Sequence, residues 1–473
     1  MHIPRARALS GRVQGQLRAA HASLSNLRRA KTLDAFVFNY ADDQRVYGQV
    51  EAVILELRNR LNRILAAHDV HIGQSILEEG LYDLLRSGSP DPVNDLLEAV
   101  EEHQLHEPGF VLYPLHSFGV VWDGLRMQSA PPSEVVFDTN GIAVTPQLND
   151  PEAVIGFLRR SAEQLGILSG IPGMSFAEHA RHPVLKWIGT NPLMMIRVRS
   201  FSGGQYENQS AYAFKLALGT ALVMMASVLT DPRHRTSRML ASSTSRVNNF
   251  QTLDIRHYLV FENAGVSKRL KIRRVPMNLS AQTLAQLSDL DVDLDPEAWQ
   301  SDAAREQLRR LSEAVATFER FHTRNVGGLR VAKARTRVAR KLFDSLFWFR
   351  RSFNSTGDRR EAVVSQAVAF ESLLTDSYGN TSVIHERVAQ CVAANADAAV
   401  MREAVEHLFV GRGEAVHKGS LETAVDMLIA RRAYVHCFVH LVERLHAAPE
   451  QSAAPVAAVL AADIAERTSA PCA

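Results

Sequence analysis

The sequence predicts a mainly α-helical protein, with an α+β N-terminal region followed by an all-α C-terminal helical bundle. Three observations carry that expectation. Between Pro296 and Leu445 no proline occurs, in a chain that has 18. Long helical periodicities follow one another through that stretch, and their short separators favour antiparallel neighbours. Ahead of it, helical patterns alternate with short runs rich in aromatic and β-branched residues, as strands are. At 473 residues the chain has room for two to four domains.

The first 33 residues carry Arg5, Arg7, Arg12, Arg18, Arg28, Arg29 and Lys31 and no acid. They lack the apolar core of a secretory signal. A transit peptide has that charge pattern, but so does a solvated basic arm, and the arm is the favoured reading of residues 1–45. Residues 46–319 read as the α+β region, a candidate sensor or regulatory part of one or two domains. There Gln49 to His68 repeats apolar residues at steps of three and four. A second helix starts near Ser75 and a third spans Pro92 to Glu102. Phe110 to Val121 reads as strand. Glu134 to Thr145 straddles Asn140-Gly141 and reads as a hairpin. Asp150 and Pro151 form an N-cap and first helical residue. Leu193 to Val198, Asp254 to Glu262 and Lys268 to Val275 are further strand candidates, and Asp289 to Asp295 an acidic loop before a helix starting at Pro296.

The bundle is expected over 320–446. Its five helices are Val326 to Phe353, Asp358 to Asp376, Thr381 to Ala394, Ala398 to Val410 and Leu421 to His446. Residues 447–473, rich in Ala and Pro, read as a loosely held tail.

Several function classes fall away. Cys391, Cys437 and Cys472 are too few and scattered for a disulfide framework or cysteine zinc site, which points to reducing cytosol. Ala211 to Leu229 is the most apolar stretch, but it contains Lys215 and barely reaches 19 residues. A buried helix explains it better than a membrane span. His103, His106 and His116 lack the carboxylate pattern that would complete a metal site. His179 and His182 precede Pro183 and suit a surface turn. No phosphate-binding loop, dinucleotide fingerprint or nucleophile elbow is present, and Ser202-Gly-Gly is a plain loop. The expectation is a protein without metal or cofactor.

The strongest local feature is Phe409-Val-Gly-Arg412-Gly-Glu-Ala-Val-His417-Lys-Gly419. An arginine holds phosphate oxygens with a planar, permanently charged fork. A histidine side chain can move a proton near neutral pH. If the segment is helical or turn-like, both side chains can converge near the start of the last helix, where unpaired N–H groups attract phosphate. Those are the parts of a metal-free ribonuclease. The plainer alternative has Arg412 capping the preceding helix and His417 in an exposed turn.

The C-terminal region resembles a HEPN domain of the Apea-like branch. The resemblance rests on a basic-aromatic helix from Arg337 to Trp348, an Ala367 to Leu374 helix containing Glu371, a basic turn at Ile384 to Ala389, and the Phe409 to Gly419 motif. It covers ~120 residues and combines several short motifs. It implies a helical bundle that pairs as a homodimer, with Arg and His of both subunits facing one RNA-cleaving cleft. By position it assigns catalysis to Arg412 and His417, with Glu371 as a buried acid that orients either. Gly413 stands where the family often has a small polar residue or Asn/Asp, and Lys418 separates His417 from Gly419.

Between Arg320 and Arg360 there are 12 Lys/Arg against two acids. Arg337, Arg340 and Lys341, with Lys418 beside the motif, are the candidate RNA-binding residues. Val338, Leu342, Leu346 and Phe349 form the opposing apolar stripe. A solvated face offset by Glu371 and by the acids of 289–302 is the competing explanation. The leading expectation is a cytoplasmic, metal-independent endoribonuclease effector of a prokaryotic defence or toxin-type system, with a regulatory partner or ligand at the N-terminal region. The alternative is a non-catalytic dimerisation module. DNA binding ranks third, for want of a recognition helix.

Overall fold

Apolar residues at helical spacing begin earlier than the basic side chains suggest. The computed structural model describes residues 5–462 except 7, 23, 69, 103–107, 116, 124–133, 149, 203–208, 231–239, 243–256, 264–269, 278–288, 295–300, 327–331, 354–358 and 378–380. His103, His106, His116, the glycines after Ser202 and Cys472 lie outside the described residues. The expected basic arm is instead three helices, α1 (Gly11–Ala22), α2 (Leu24–Arg29) and α3 (Leu33–Tyr40). Their Val13, Leu17, Ala20, Leu27 and Phe36 are buried with α4 (Gln44–Ala67), α5 (Gln74–Ser87) and α6 (Pro92–Glu102). Arg5, Arg12, Arg18, Arg28, Arg29 and Lys31 decorate the outside; Arg12, for one, pairs with Glu56 at 3.1 Å. The buried Tyr82 hydroxyl donates to the carbonyls of Leu27 and Ala30, tying the C-terminal end of α2 to α5.

The next region is a sheet with helices on both faces. Its short strand β1 (Val70–Ile72) runs parallel to β6 (Leu193–Ser202); the other pairings are antiparallel, in the order β4-β5-β6-β2-β8-β9. These strands are β2 (Pro108–Pro114), β4 (Val135–Phe137), β5 (Ile142–Thr145), β8 (His257–Asn263) and β9 (Leu270–Pro276). The Asn140-Gly141 turn links β4 to β5 as expected, with Gly141 at φ 69°. Side chains alternate across the sheet. Phe110, Leu112, Met195 and Phe261 face α7 (Pro151–Gln164), α8 (Gly173–Ala180) and α9 (Trp187–Thr190). Val111, Tyr113, Met194 and Val260 face the other way, into the core shared with α10 (Gln209–Thr230). Asp150 caps α7 by accepting from Glu152 N–H. The acidic loop is a strand, β10 (Asp289–Leu294), parallel to β3 (Ser117–Asp123), which also pairs with β7 (Leu240–Ser242). Its Asp-Leu-Asp-Val-Asp-Leu run alternates with the period of a strand, but aspartate is disfavoured in strands, which had hidden it.

Helix α10 is long and apolar enough to cross a membrane, and most of it is buried between the sheet and the bundle. Gly219 makes that fit possible. A Cβ there would stand 3.0 Å from Met194 Sδ and 3.2 Å from Ile142 Cδ1.

The bundle begins at α11 (Asp302–Val326), not at residue 320, because Leu308, Leu311, Val315 and Phe318 already face its core. Then follow α12 (Lys333–Arg351), α13 (Arg359–Leu374), α14 (Thr381–Val392), α15 (Ala398–His417) and α16 (Met427–Val442). The expected first and last bundle helices are thus shorter than their apolar patterns. The tail also contributes: α17 (Pro455–Leu460) buries Val456, Val459 and Leu460 on the bundle. Asp376 caps it by accepting from Val456 and Ala457 N–H at 2.7 and 2.9 Å. Three helices lock together where Tyr434 on α16 stacks on Phe349 and hydrogen-bonds Ser345, whose hydroxyl also reaches Ala369 O. Sheet face, α10 and bundle share one hydrophobic core. A domain boundary at 320 would sever the last turns of α11 from the rest of the helix.

Three histidines are packed into this core region. Burial pushes His322, His436 and His440 each down to about 4, with Arg340 adding to the shift at His322, Arg432 and Arg310 at His436, and Arg444 and Arg310 at His440. Below pH 6.5 the unfolded chain takes up protons that these folded histidines refuse. Their contribution is therefore fully present above pH 6.5 and is lost as pH falls towards 4. Each such group changes stability by up to about 1.4 kcal/mol per pH unit in that window. The urea midpoint is expected to fall between pH 7 and pH 5, and His436→Gln to flatten the fall. A midpoint independent of pH contradicts this.

Candidate functional site

The glycine-bracketed motif is not a connection between helices. Helix α15 runs through Gly411, Arg412 and Gly413 and ends at His417. Gly411 is required because the following chain lies against it. A Cβ there would stand 2.9 Å from Leu421 Cδ1 and from Val425 Cγ2. A Cβ at Gly413 would meet nothing within 4 Å.

The chain from Lys418 to Asp426 folds back and is held from two sides. Glu414 accepts from Glu422 and Thr423 N–H at 2.9 and 2.8 Å, and these bonds hold its carboxyl below the usual range. From α13, Arg360 donates to Gly419 O at 2.5 Å and Arg359 to Val425 O at 3.3 Å. Gly419 takes the positive φ of 67° that the reversal needs. The N-terminus of α16 is closed to a phosphate by its own cap, since Asp426 accepts from Leu428 and Ile429 N–H. The expected convergence of Arg412 and His417 near that terminus therefore does not occur.

Five residues of helix turn two side chains by roughly 140° about the axis. Arg412 points back along α13, where its Nη2 lies 3.2 Å from Glu371 Oε1, and its Nε is buried without a hydrogen-bond partner. Glu371 is half-buried rather than buried. His417 is exposed, in the stripe that carries Val410 two turns earlier. Val410 and Val416 are 54% and 55% exposed. Glu371 and Arg412 are thus brought together, and His417 is directed elsewhere within the same chain.

Sequence reasoning missed His385 on α14. Its ring packs edge-on against Phe409, 5.6 Å between centroids, and its Nε2 is buried without a partner. Nothing in the spacing from 385 to 409 signals that contact.

The candidate RNA-binding residues separate. Arg337 and Arg340 are exposed on α12, and Arg337 donates to Ala453 O at 3.1 Å. Lys341 is half-buried, and burial, with Arg337 beside it, pulls its ammonium below the usual range, against the pull of Asp376 and Asp344. Lys418 is exposed, but next to Gly419 and therefore at the Arg360 end of α13. Asp376 follows the opposite end, so Lys341 and Lys418 stand roughly 20 Å apart at 1.5 Å per helical residue. Glu371 offsets Arg412 and not the basic helix. Among the described residues no group of three or more His, Cys, Asp or Glu is placed to hold a metal ion.

No protein-family model, curated protein or solved structure matches the chain.

Proposed function

We propose that the protein is a metal-independent endoribonuclease effector of the HEPN type, working as a homodimer through the C-terminal bundle. The observation that carries this reading is the Glu371–Arg412 pair on facing helices, five residues ahead of the exposed His417 at the end of α15. Glu371 fixes the guanidinium, and the fixed guanidinium presents its remaining donors to a phosphate. His417 removes the proton from a ribose 2′-hydroxyl. The 2′-oxygen then attacks the adjacent phosphorus and the 5′-oxygen leaves, taking a proton from water, giving a 2′,3′-cyclic phosphate and a 5′-hydroxyl. Arg412 stabilises the charge that develops on the phosphate oxygens.

One chain does not aim both groups at one phosphate. A two-fold contact through the exposed side of α15, with Val410 and Val416 covered, would give each Arg412 the His417 of the second copy. In this reading the sheet and the N-terminal helices restrain or trigger the bundle, and the protein arrests growth in a prokaryotic defence or toxin-type system. The same divergence of Arg412 and His417 is what favours the second reading, a helical module that dimerises without cleaving.

Purified protein incubated with labelled RNA in EDTA separates the two. Cleavage in EDTA, together with growth inhibition on expression, is the expected result. Intact RNA with normal growth favours the module.

A further inference from the structure

Arg432, His436 and His440 recur at steps of four along α16, and Arg444 continues the step just past its end. Residues at that spacing lie on one face of a helix. All three on the helix are half-buried, and the residues between them belong to the core. Arg310 of α11 reaches the same stripe, pairing with Glu443 at 2.8 Å. Burial, Arg432 and Arg310 hold His436 below the usual imidazole range, while Asp397 pulls the other way. Burial, Arg444 and Arg310 do the same at His440. Asp397 is exposed at the start of α15 and caps none of its N–H groups with its side chain.

Donors on this stripe outnumber their acceptors. Arg432 makes no hydrogen bond or ion pair among the described residues, and its Nε is buried. His440 Nε2 is also buried without a partner. Arg444 donates to the carbonyls of Ala462 and His440, neither of which carries charge. The guanidiniums of Arg310, Arg432 and Arg444 thus exceed the carboxylates of Glu443 and Asp397 before either histidine is protonated. Buried donors left bare call for a partner that the chain itself does not supply.

Two histidines four residues apart also suit a metal ion. Here the surrounding guanidiniums would repel a cation, and among the described residues no third His, Cys, Asp or Glu is placed to complete the set. The sign of the field selects an anion. We propose that the stripe of Arg432, His436 and His440, with Arg310 beside it, is a binding site for the phosphate group of a small molecule. The phosphate sits over His436, in the middle of the stripe. The Arg432 fork holds two of its oxygens, and the imidazole edges donate to the others. Half-exposed side chains change rotamer within nanoseconds, which brings Arg432 Nε and His440 Nε2 to the surface. Helix α15 from Asp397 to Arg412 is about 22 Å long at 1.5 Å per residue, so this site is separate from the Arg412 motif. It goes beyond the ribonuclease reading and does not rest on it.

Binding is measured by isothermal titration calorimetry on the full chain at constant ionic strength, with inorganic phosphate and ADP as probes. Saturable binding is expected, and Arg432→Gln should weaken it at least about tenfold, the scale of one charge-assisted hydrogen bond. Arg432 has no bond to lose, so an unchanged urea midpoint is the folding control. His440→Gln repeats the test from the other end of the stripe. Both probes binding alike identifies free phosphate as the ligand, and ADP binding at least about tenfold tighter identifies a nucleotide. Sulfate keeps its charge between pH 7.5 and pH 5.5 and so tests the histidines. A bound anion favours the charged imidazoles, so sulfate should bind tighter at pH 5.5, and His436→Gln should flatten that change. No saturable binding of these anions below about 10 mM overturns the site. So does an affinity that Arg432→Gln leaves unchanged, a sulfate affinity independent of pH, or stoichiometric binding of zinc instead.

Discussion

Arg412→Ala and His417→Ala are each expected to lower RNA cleavage in EDTA by at least about a hundredfold. A general base and a charge-stabilising donor each contribute on that scale or above. Neither change should unfold the protein. His417 is exposed at a helix end, and Arg412 is half-exposed and touches its partner only at the guanidinium. Thermal unfolding within a few degrees of wild type is the control that separates lost chemistry from lost structure. Glu371→Gln keeps the size of the side chain and removes the charge that fixes Arg412. It is expected to reduce cleavage by a smaller factor, as befits a group that positions another. If cleavage persists in both alanine variants, Arg412 and His417 are not the chemistry.

Gly109→Ala is the substitution expected to harm folding most. A Cβ at 109 would stand 2.1 Å from Phe261 O, a backbone atom of the neighbouring strand β8. Strand β2 is paired on both sides, with β6 and β8, so it cannot move away from one without losing the other. The stacked Phe110 and Phe261 rings, 4.0 Å between centroids, hold the same pair from the adjoining position. The expected loss is about 3 kcal/mol or more, at the upper end of overpacking effects. It is read as a lower urea midpoint of the purified variant. A midpoint equal to that of wild type would show that the β2–β8 pairing is looser than described.

Where local rules decide the outcome, the sequence was readable. Pro92 opens α6, Asp150 and Pro151 open α7, and Asn140-Gly141 turns the β4–β5 hairpin. The stripe of Val338, Leu342, Leu346 and Phe349 is the buried face of α12, and the apolar run at 211–229 is a buried helix. Tertiary contacts decided the rest. Gly411 and Gly413 look like helix breakers, yet α15 continues because the chain near Leu421 and Val425 needs the space that a side chain at 411 would fill. The acids of β10 concealed a strand, and the arginines of α1 and α2 concealed a packed helical face. Of the site, the resemblance pointed to a contact of Glu371 with Arg412 or His417, and the contact formed is with Arg412. The divergence of Arg412 and His417 was not readable, because it depends on α15 continuing as helix through His417.

The most direct measurement of the central claim is the chemistry of the new RNA ends. RNA cut by the wild-type protein in EDTA is expected to carry 2′,3′-cyclic phosphate and 5′-hydroxyl termini, and no such ends should appear with His417→Ala. Ends bearing a 3′-hydroxyl and a 5′-phosphate, or cutting that starts only when a divalent metal is added, would contradict it.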